Sequence, residues 1–350
     1  MARIHPPKPI SCGILLSYKC TSTCRHCMYA CSPTWRSDWI SESDLRSVLS
    51  QLSESIAPAP GGPSGIGVNY GLHFTGGEPF LNYKLLLRAV ELAEEHGIPS
   101  VFVETNCFWC ASRERAEEML LELKSAGLDG LLVSVNPFLV EYTPFERMEV
   151  AAELGERIFG GNLIIYQLEF YEQFRMLGLR GTMGFEEYLA RIGVNGLRWA
   201  ELLPMGRACY KLRGIFRRYP ARMFFDEDCG ASLLRRWHAH IDNYGNLITG
   251  YCAGISLGDA RRLDELVDEG VDLDERPILR MLILEDLGSL YSFAAREFGY
   301  VERGDGYISK CDLCLDIRRH IVERAGAGEY PELAPREFYM HLDEGRWGLR

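Results

Sequence analysis

Short apolar runs recur along the first part of the chain, each bounded by polar residues or glycine: Ile10–Ser17, Asn69–Thr75, Ser100–Thr105, Leu131–Val135, Asn162–Leu168 and Leu197–Leu203. Runs of this length and continuity predict strands buried on both faces, as in a parallel sheet. Between them the periodicity changes. Leu45, Val48, Leu49 and Leu52 follow the i, i+3, i+4, i+7 spacing of an amphipathic helix, with Ser41 and Asp44 as a capping box. Ala116, Met119, Leu120 and Leu123 repeat that spacing. Thr143-Pro144-Phe145-Glu146 marks another helix start, with proline at the first helical position. The fold class expected is α/β, an open barrel of six strand–helix units, short of the eight of a closed one. Its site belongs at the C-terminal ends of the strands.

Directly after the first run stand Cys20, Cys24 and Cys27, in C-T-S-T-C-R-H-C. Three thiolates this close can face one iron–sulfur cluster, and such clusters normally take four cysteines. A three-cysteine loop therefore leaves one iron open to a ligand that is not protein. Zinc or a redox pair is the other reading of a C-x2-C spacing. After the second run comes Gly76-Gly77-Glu78-Pro79. Alone it is a turn, but its glycines would also let backbone come close to a ligand.

The C-x3-C-x2-C loop and the Gly-Gly-Glu-Pro turn together resemble the radical S-adenosylmethionine (SAM) enzymes. The resemblance implies a six-unit partial (β/α)6 barrel and a 4Fe-4S cluster on Cys20, Cys24 and Cys27. Its open iron would bind SAM, with reductive cleavage to methionine and a 5′-deoxyadenosyl radical that abstracts hydrogen from a substrate C–H bond. It also implies that Gly76, Gly77, Glu78 and Pro79 contact the methionine amino group. His26, just before the third cysteine, would lie near the adenine; its plainer reading is an exposed loop residue. Thr105, Asn106, Ser134, Asn136 and Glu201, at or near strand ends, are candidates for the remaining SAM contacts, or else helix caps. An electron donor such as a ferredoxin or flavodoxin is implied as partner.

Leu203-Pro204-Met205-Gly206-Arg207-Ala208 resembles the stretch that precedes a SPASM or twitch extension in such enzymes. Cysteines then resume: Cys229, Cys252 after a hairpin pattern at Ile241–Ile248, and Cys311-Asp312-Leu313-Cys314 at a helix start. Their order resembles a twitch-type extension and implies a second, auxiliary 4Fe-4S cluster on Cys229, Cys252, Cys311 and Cys314. Zinc is the alternative for four cysteines. The expected organisation is a barrel over residues 1–208, a twitch-like α+β region over 209–325 and a tail over 326–350.

Five cysteines remain. Cys12 reads as a small core residue. Cys107 and Cys110, in C-F-W-C after the third run, are candidates for touching substrate, with Cys31 and Cys209 expected on the same side; buried structural cysteine is the plainer reading.

With 350 residues and 47% apolar content, the chain is long enough for a large core and one or two domains. No apolar run reaches the roughly 20 residues of a membrane span, and Met1 to Pro9 lacks a signal-peptide pattern. Twelve cysteines in clustered spacings fit metal ligation better than disulfides, hence a reducing cytoplasm. A net charge of −11 argues against a nucleic-acid partner. The first run begins near residue 10, which leaves no room before it for a leader-gripping domain. Three functions stay open: a peptide or protein maturase, a radical SAM enzyme acting on a small molecule, and an iron–sulfur electron-transfer protein without SAM chemistry.

Overall fold

The computed structural model describes residues 2–36, 38–199 and 202–344. A short strand, β1 (Arg3–Ile4), precedes the main sheet. Five of the apolar runs become strands, trimmed at their ends: β2 (Ser11–Leu15), β3 (Gly71–Thr75), β4 (Val101–Thr105), β5 (Gly130–Ser134) and β6 (Leu163–Tyr166). They pair in parallel, each with the next. Every residue of β2 is buried, and all but one in each of β3, β4 and β5. This is why the runs carry no polar alternation. β6 is the sheet edge and only half-buried.

Helices α1 (Glu42–Leu52), α2 (Tyr83–Glu95), α3 (Arg113–Ser125) and α4 (Phe145–Phe159) connect these strands. α1 buries Leu45, Val48, Leu49 and Leu52, and α3 buries Ala116, Met119, Leu120 and Leu123. Ser41 caps α1 by accepting from Asp44 N at 3.0 Å. The Asp44 carboxylate turns to Arg261 at 3.1 Å. Pro144 is the cap of α4, one position earlier than expected. Leu168 belongs to α5 (Leu168–Met176), and α6 (Phe185–Ile192) follows.

The sixth run is a correction. Val194–Trp199 forms a 3₁₀ helix, and no strand follows at 202 and 203. The run carries Arg198 and Glu201 and ends at Pro204. Charges and a following proline suit a strand buried on both faces poorly. The sixth parallel strand is β7 (Ala239–Ile241), paired with β2 on the side away from β3. β8 (Leu247–Thr249) returns antiparallel to it, completing the expected hairpin. The seven-stranded order is β6-β5-β4-β3-β2-β7-β8, and β9 (Val271–Asp272) pairs separately with β1. The result is an α/β fold around a parallel-dominated sheet, in which the hairpin shares the sheet of the first strands.

Beyond residue 326, a 3₁₀ helix (Arg336–Met340) packs near the cysteine loop, where His341 stacks on Trp35 at 4.7 Å between ring centres. Among the described residues, no helix is long and apolar enough to cross a membrane.

Candidate functional site

The segment after β2 closes into a loop: Cys20 N donates to Ser32 O, and Ser32 N to Tyr18 O. Within it Cys20, Cys24 and Cys27 face one cavity of about 420 Å³. Opposite them lie residues from the C-terminal ends of the parallel strands: Thr75 and Gly76–Gly77 after β3, Thr105 and Asn106 at β4, Ser134 and Asn136 at β5, Tyr166 at β6. Strand ends are where an open parallel sheet presents ligand groups.

The two glycines fit against the cysteine loop because they have no side chains. A Cβ on Gly77 would stand 1.9 Å from Lys19 O, and one on Gly76 (φ +125°) 2.4 Å from Ser17 O. Gly77 N donates to Ser17 O and Glu78 N to Lys19 O. Glu78 and Pro79 do not line the cavity. Glu78 is buried and braces it from behind, accepting from Thr105 Oγ1 (3.0 Å), Asn106 N (2.7 Å) and Phe80 N (3.2 Å). Burial pushes its carboxyl up to about 7, against those hydrogen bonds. Asn106 Nδ2 reaches Thr21 Oγ1 at 3.0 Å and Cys20 Sγ at 3.6 Å. His26 rests on Phe138 and faces Asn136 Nδ2 at 3.4 Å. Glu201 lies outside the described residues.

The Pro-x-Gly-Arg stretch holds this loop. Arg207 is fully buried and donates to Cys24 O (3.1 Å), Ala30 O (2.7 Å), Cys31 O (3.0 Å) and His341 O (3.2 Å). Gly206 (φ +56°) permits the approach, since a Cβ there would meet Met28 O at 2.3 Å. Burial raises the thiols of Cys20 and Cys24, while the Arg207 charge pulls both back. Cys31 also lines the cavity. Burial raises its thiol, with neighbouring Cys27 adding to the rise, while Cys31 in turn lowers the Cys27 pKa.

Burial and neighbouring thiols push Cys229 and Cys311 up, Cys311 to about 12. Each of them feels Cys252 and Cys314, so the four gather in one place. Cys311 and Cys314 occupy the first turn of the helix Lys310–Arg324, on one face by their i, i+3 spacing. Arg318, one turn on and buried, reaches the Cys314 thiol. All twelve cysteines are free thiols.

Cys107 and Cys110 are buried, and neither lines the main cavity. Cys110 faces a smaller pocket with Glu146 and Arg147, and Cys209 is buried with its thiol toward Pro204 O at 3.2 Å. Cys12 is buried within β2. Cavity residues that the sequence did not single out include His73, Glu104, Trp237, His238, His240 and Tyr251. The only signal for the histidines was the alternating His238-Ala239-His240.

No family model matches the chain. The putative peptide biosynthesis protein YydG of Bacillus subtilis (strain 168) is 25% identical over 133 residues, which is 38% of this chain and 37% of that protein. Among solved structures, BtrN in complex with AdoMet and 2-DOIA is 13% identical at a TM-score of 0.44, over 81% of this chain and 89% of that one. anSMEcpe with bound AdoMet is 13% identical at 0.41, over 90% and 98%. SuiB of Streptococcus suis bound to S-adenosylmethionine is 12% identical at 0.35, over 88% and 77%. Each of these three solved structures holds S-adenosylmethionine, and none is more than 13% identical to this chain, while the YydG match spans little more than a third of either protein.

Proposed function

We propose that the chain is a radical SAM enzyme that modifies a peptide or protein. One observation carries this reading: three free thiols, one buried and two half-buried, face, across one cavity, a Gly-Gly turn and the polar ends of parallel strands. The donor set fits a four-iron cluster that takes three cysteines and leaves one iron for SAM. Buried polar atoms without partners, Ser22 Oγ and His26 Nδ1, lie on residues lining the same cavity and fit a polar ligand there. When bound, the cluster and SAM supply a one-electron cleavage that yields a 5′-deoxyadenosyl radical, which takes hydrogen from a substrate C–H bond.

The chain's own residues bind, orient and exclude water. Cys20, Cys24 and Cys27 hold the cluster, and Arg207 fixes the loop that carries them. Gly76 and Gly77 admit the ligand to bare backbone. Thr105, Asn106, Ser134, Asn136 and His26 offer hydrogen bonds to its polar groups, while Glu78 keeps Thr105 and Asn106 in place. The first five parallel strands are read as a partial barrel over residues 1–208; a twitch-like region over 209–325 adds β7 and β8 to the same sheet, and a tail follows over 326–350. Cys229, Cys252, Cys311 and Cys314 hold an auxiliary cluster. A low-potential donor of the ferredoxin or flavodoxin class supplies the electron.

A peptide substrate is favoured over a small molecule because the sequence relative is named for peptide biosynthesis. Co-expression with any short peptide encoded beside its gene, followed by mass spectrometry, tests this. A mass change in one peptide that disappears with Cys24→Ala supports the reading. Unaltered peptides, beside turnover of a small molecule, would transfer it to the second class.

A further inference from the structure

Three buried histidines on the cavity wall have no part in that chemistry. His73 lies on β3, His240 on β7, and His238 just before β7. Gly13 of β2 is in register with both His73 and His240. Residues directly across a sheet share a face, and alternation puts His238 on the face of His240. The row across three strands therefore reads His73, Gly13, His240. A Cβ on Gly13 would stand 2.3 Å from His73 Nε2 and 2.7 Å from His240 Nε2, so the glycine makes the space in which the rings meet. One ring nitrogen from each histidine lies within 4.8 Å of the others.

Core histidines would be expected to find hydrogen-bond partners. Here both ring nitrogens of His73 and Nδ1 of His240 are buried without one. Each such atom is unfavourable where it stands, and a bound ion would satisfy it. His238 differs in an informative way. Its Nδ1 meets Ser11 Oγ at 2.9 Å, which orients the ring and leaves Nε2 free. Metal-binding histidines are oriented through their second nitrogen in this manner. Glu104, held by Thr75 Oγ1 at 2.7 Å, puts a carboxyl oxygen 3.5 Å from His73 Nε2, a further oxygen donor beside the three rings. Burial also disfavours protonation of all three imidazoles, which keeps their lone pairs available.

We propose that His73, His238 and His240 bind a single divalent transition ion of the zinc or iron(II) type, with a coordination position open to the cavity. Three imidazoles with an open fourth position are the ligand pattern of a catalytic zinc rather than a closed structural one. The open position would take an oxygen or nitrogen donor of a molecule bound in the cavity. The site stands or falls independently of the cysteine loop.

Protein reconstituted anaerobically with iron and sulfide, then stripped of loose metal, is given an equimolar amount of zinc sulfate and dialysed. Zinc analysis and zinc-edge X-ray absorption then read the site without any variant. The expected result is one retained zinc per chain, with nitrogen or oxygen neighbours at about 2.0–2.1 Å. His240→Gln and His73→Asn should each lose it while iron content stays unchanged. Ser11→Ala, which removes only the partner of His238, should weaken zinc binding about 10- to 100-fold. No retained zinc, a sulfur shell around it, or full retention in both histidine variants would overturn the proposal.

Discussion

Arg207 shows how much one residue can decide. Its guanidinium satisfies four carbonyls, three of them in the cysteine loop, from a fully buried position. A Lys offers a point charge in place of that planar fork. Arg207→Met should leave the carbonyls unpaired, at roughly 1–3 kcal/mol for each that stays buried, with a lower denaturant midpoint and less iron at the loop. Arg207→Lys should fall between the two. A midpoint and iron content unchanged in Arg207→Met would show that the loop holds itself. The sequence exposed the Pro-x-Gly-Arg stretch as a pattern but not its role, because its partners are backbone carbonyls that no residue type reveals. Cys107 and Cys110 stand differently. C-F-W-C stood out in the sequence, yet both thiols are buried away from the main cavity. Cys107→Ser and Cys110→Ser should therefore retain SAM cleavage and product, losing only stability. Product lost with both clusters intact would return them to the chemistry.

At the scale of elements, the strands that were legible are mostly the ones buried on both faces, with half-buried β6 at the sheet edge legible as well. β2 to β5 read directly as continuous apolar runs, because helices or a packed interior cover each side. β7 was legible as part of a hairpin but not as the sixth parallel strand. It has three residues, with one histidine in the middle and another just before it, and nothing in a sequence says which strand a short hairpin will join. Gly13 makes the same point: its meaning appears only when β3 and β7 are set on either side of it. The helix Lys310–Arg324 carries its own test. Cys311 and Cys314 present one face at its first turn, near Cys229 and Cys252. Cys314→Ala should reduce iron by about four per chain relative to the roughly eight expected of two four-iron clusters, leaving the loop cluster and SAM cleavage in place. Iron content unaffected by Cys314→Ala would remove the auxiliary cluster.

For the whole molecule, the arrangement gathers two thiol sets and a histidine group around one sheet. The loop after β2, the turn after β3 and the hairpin strand beside β2 all converge on the same cavity, so residues 20–31 and 237–251 meet despite their separation in sequence. The tail packs onto the far side of the cysteine loop through Arg207 and Trp35. The central claim is that this cavity cleaves SAM. Its most direct test is anaerobic incubation of the reconstituted protein with SAM and a strong reductant, with chromatographic detection of 5′-deoxyadenosine. The unmodified protein should form 5′-deoxyadenosine and Cys24→Ala none. Protein with a full complement of iron that forms none, or Cys24→Ala that forms as much as the unmodified chain, would contradict that claim.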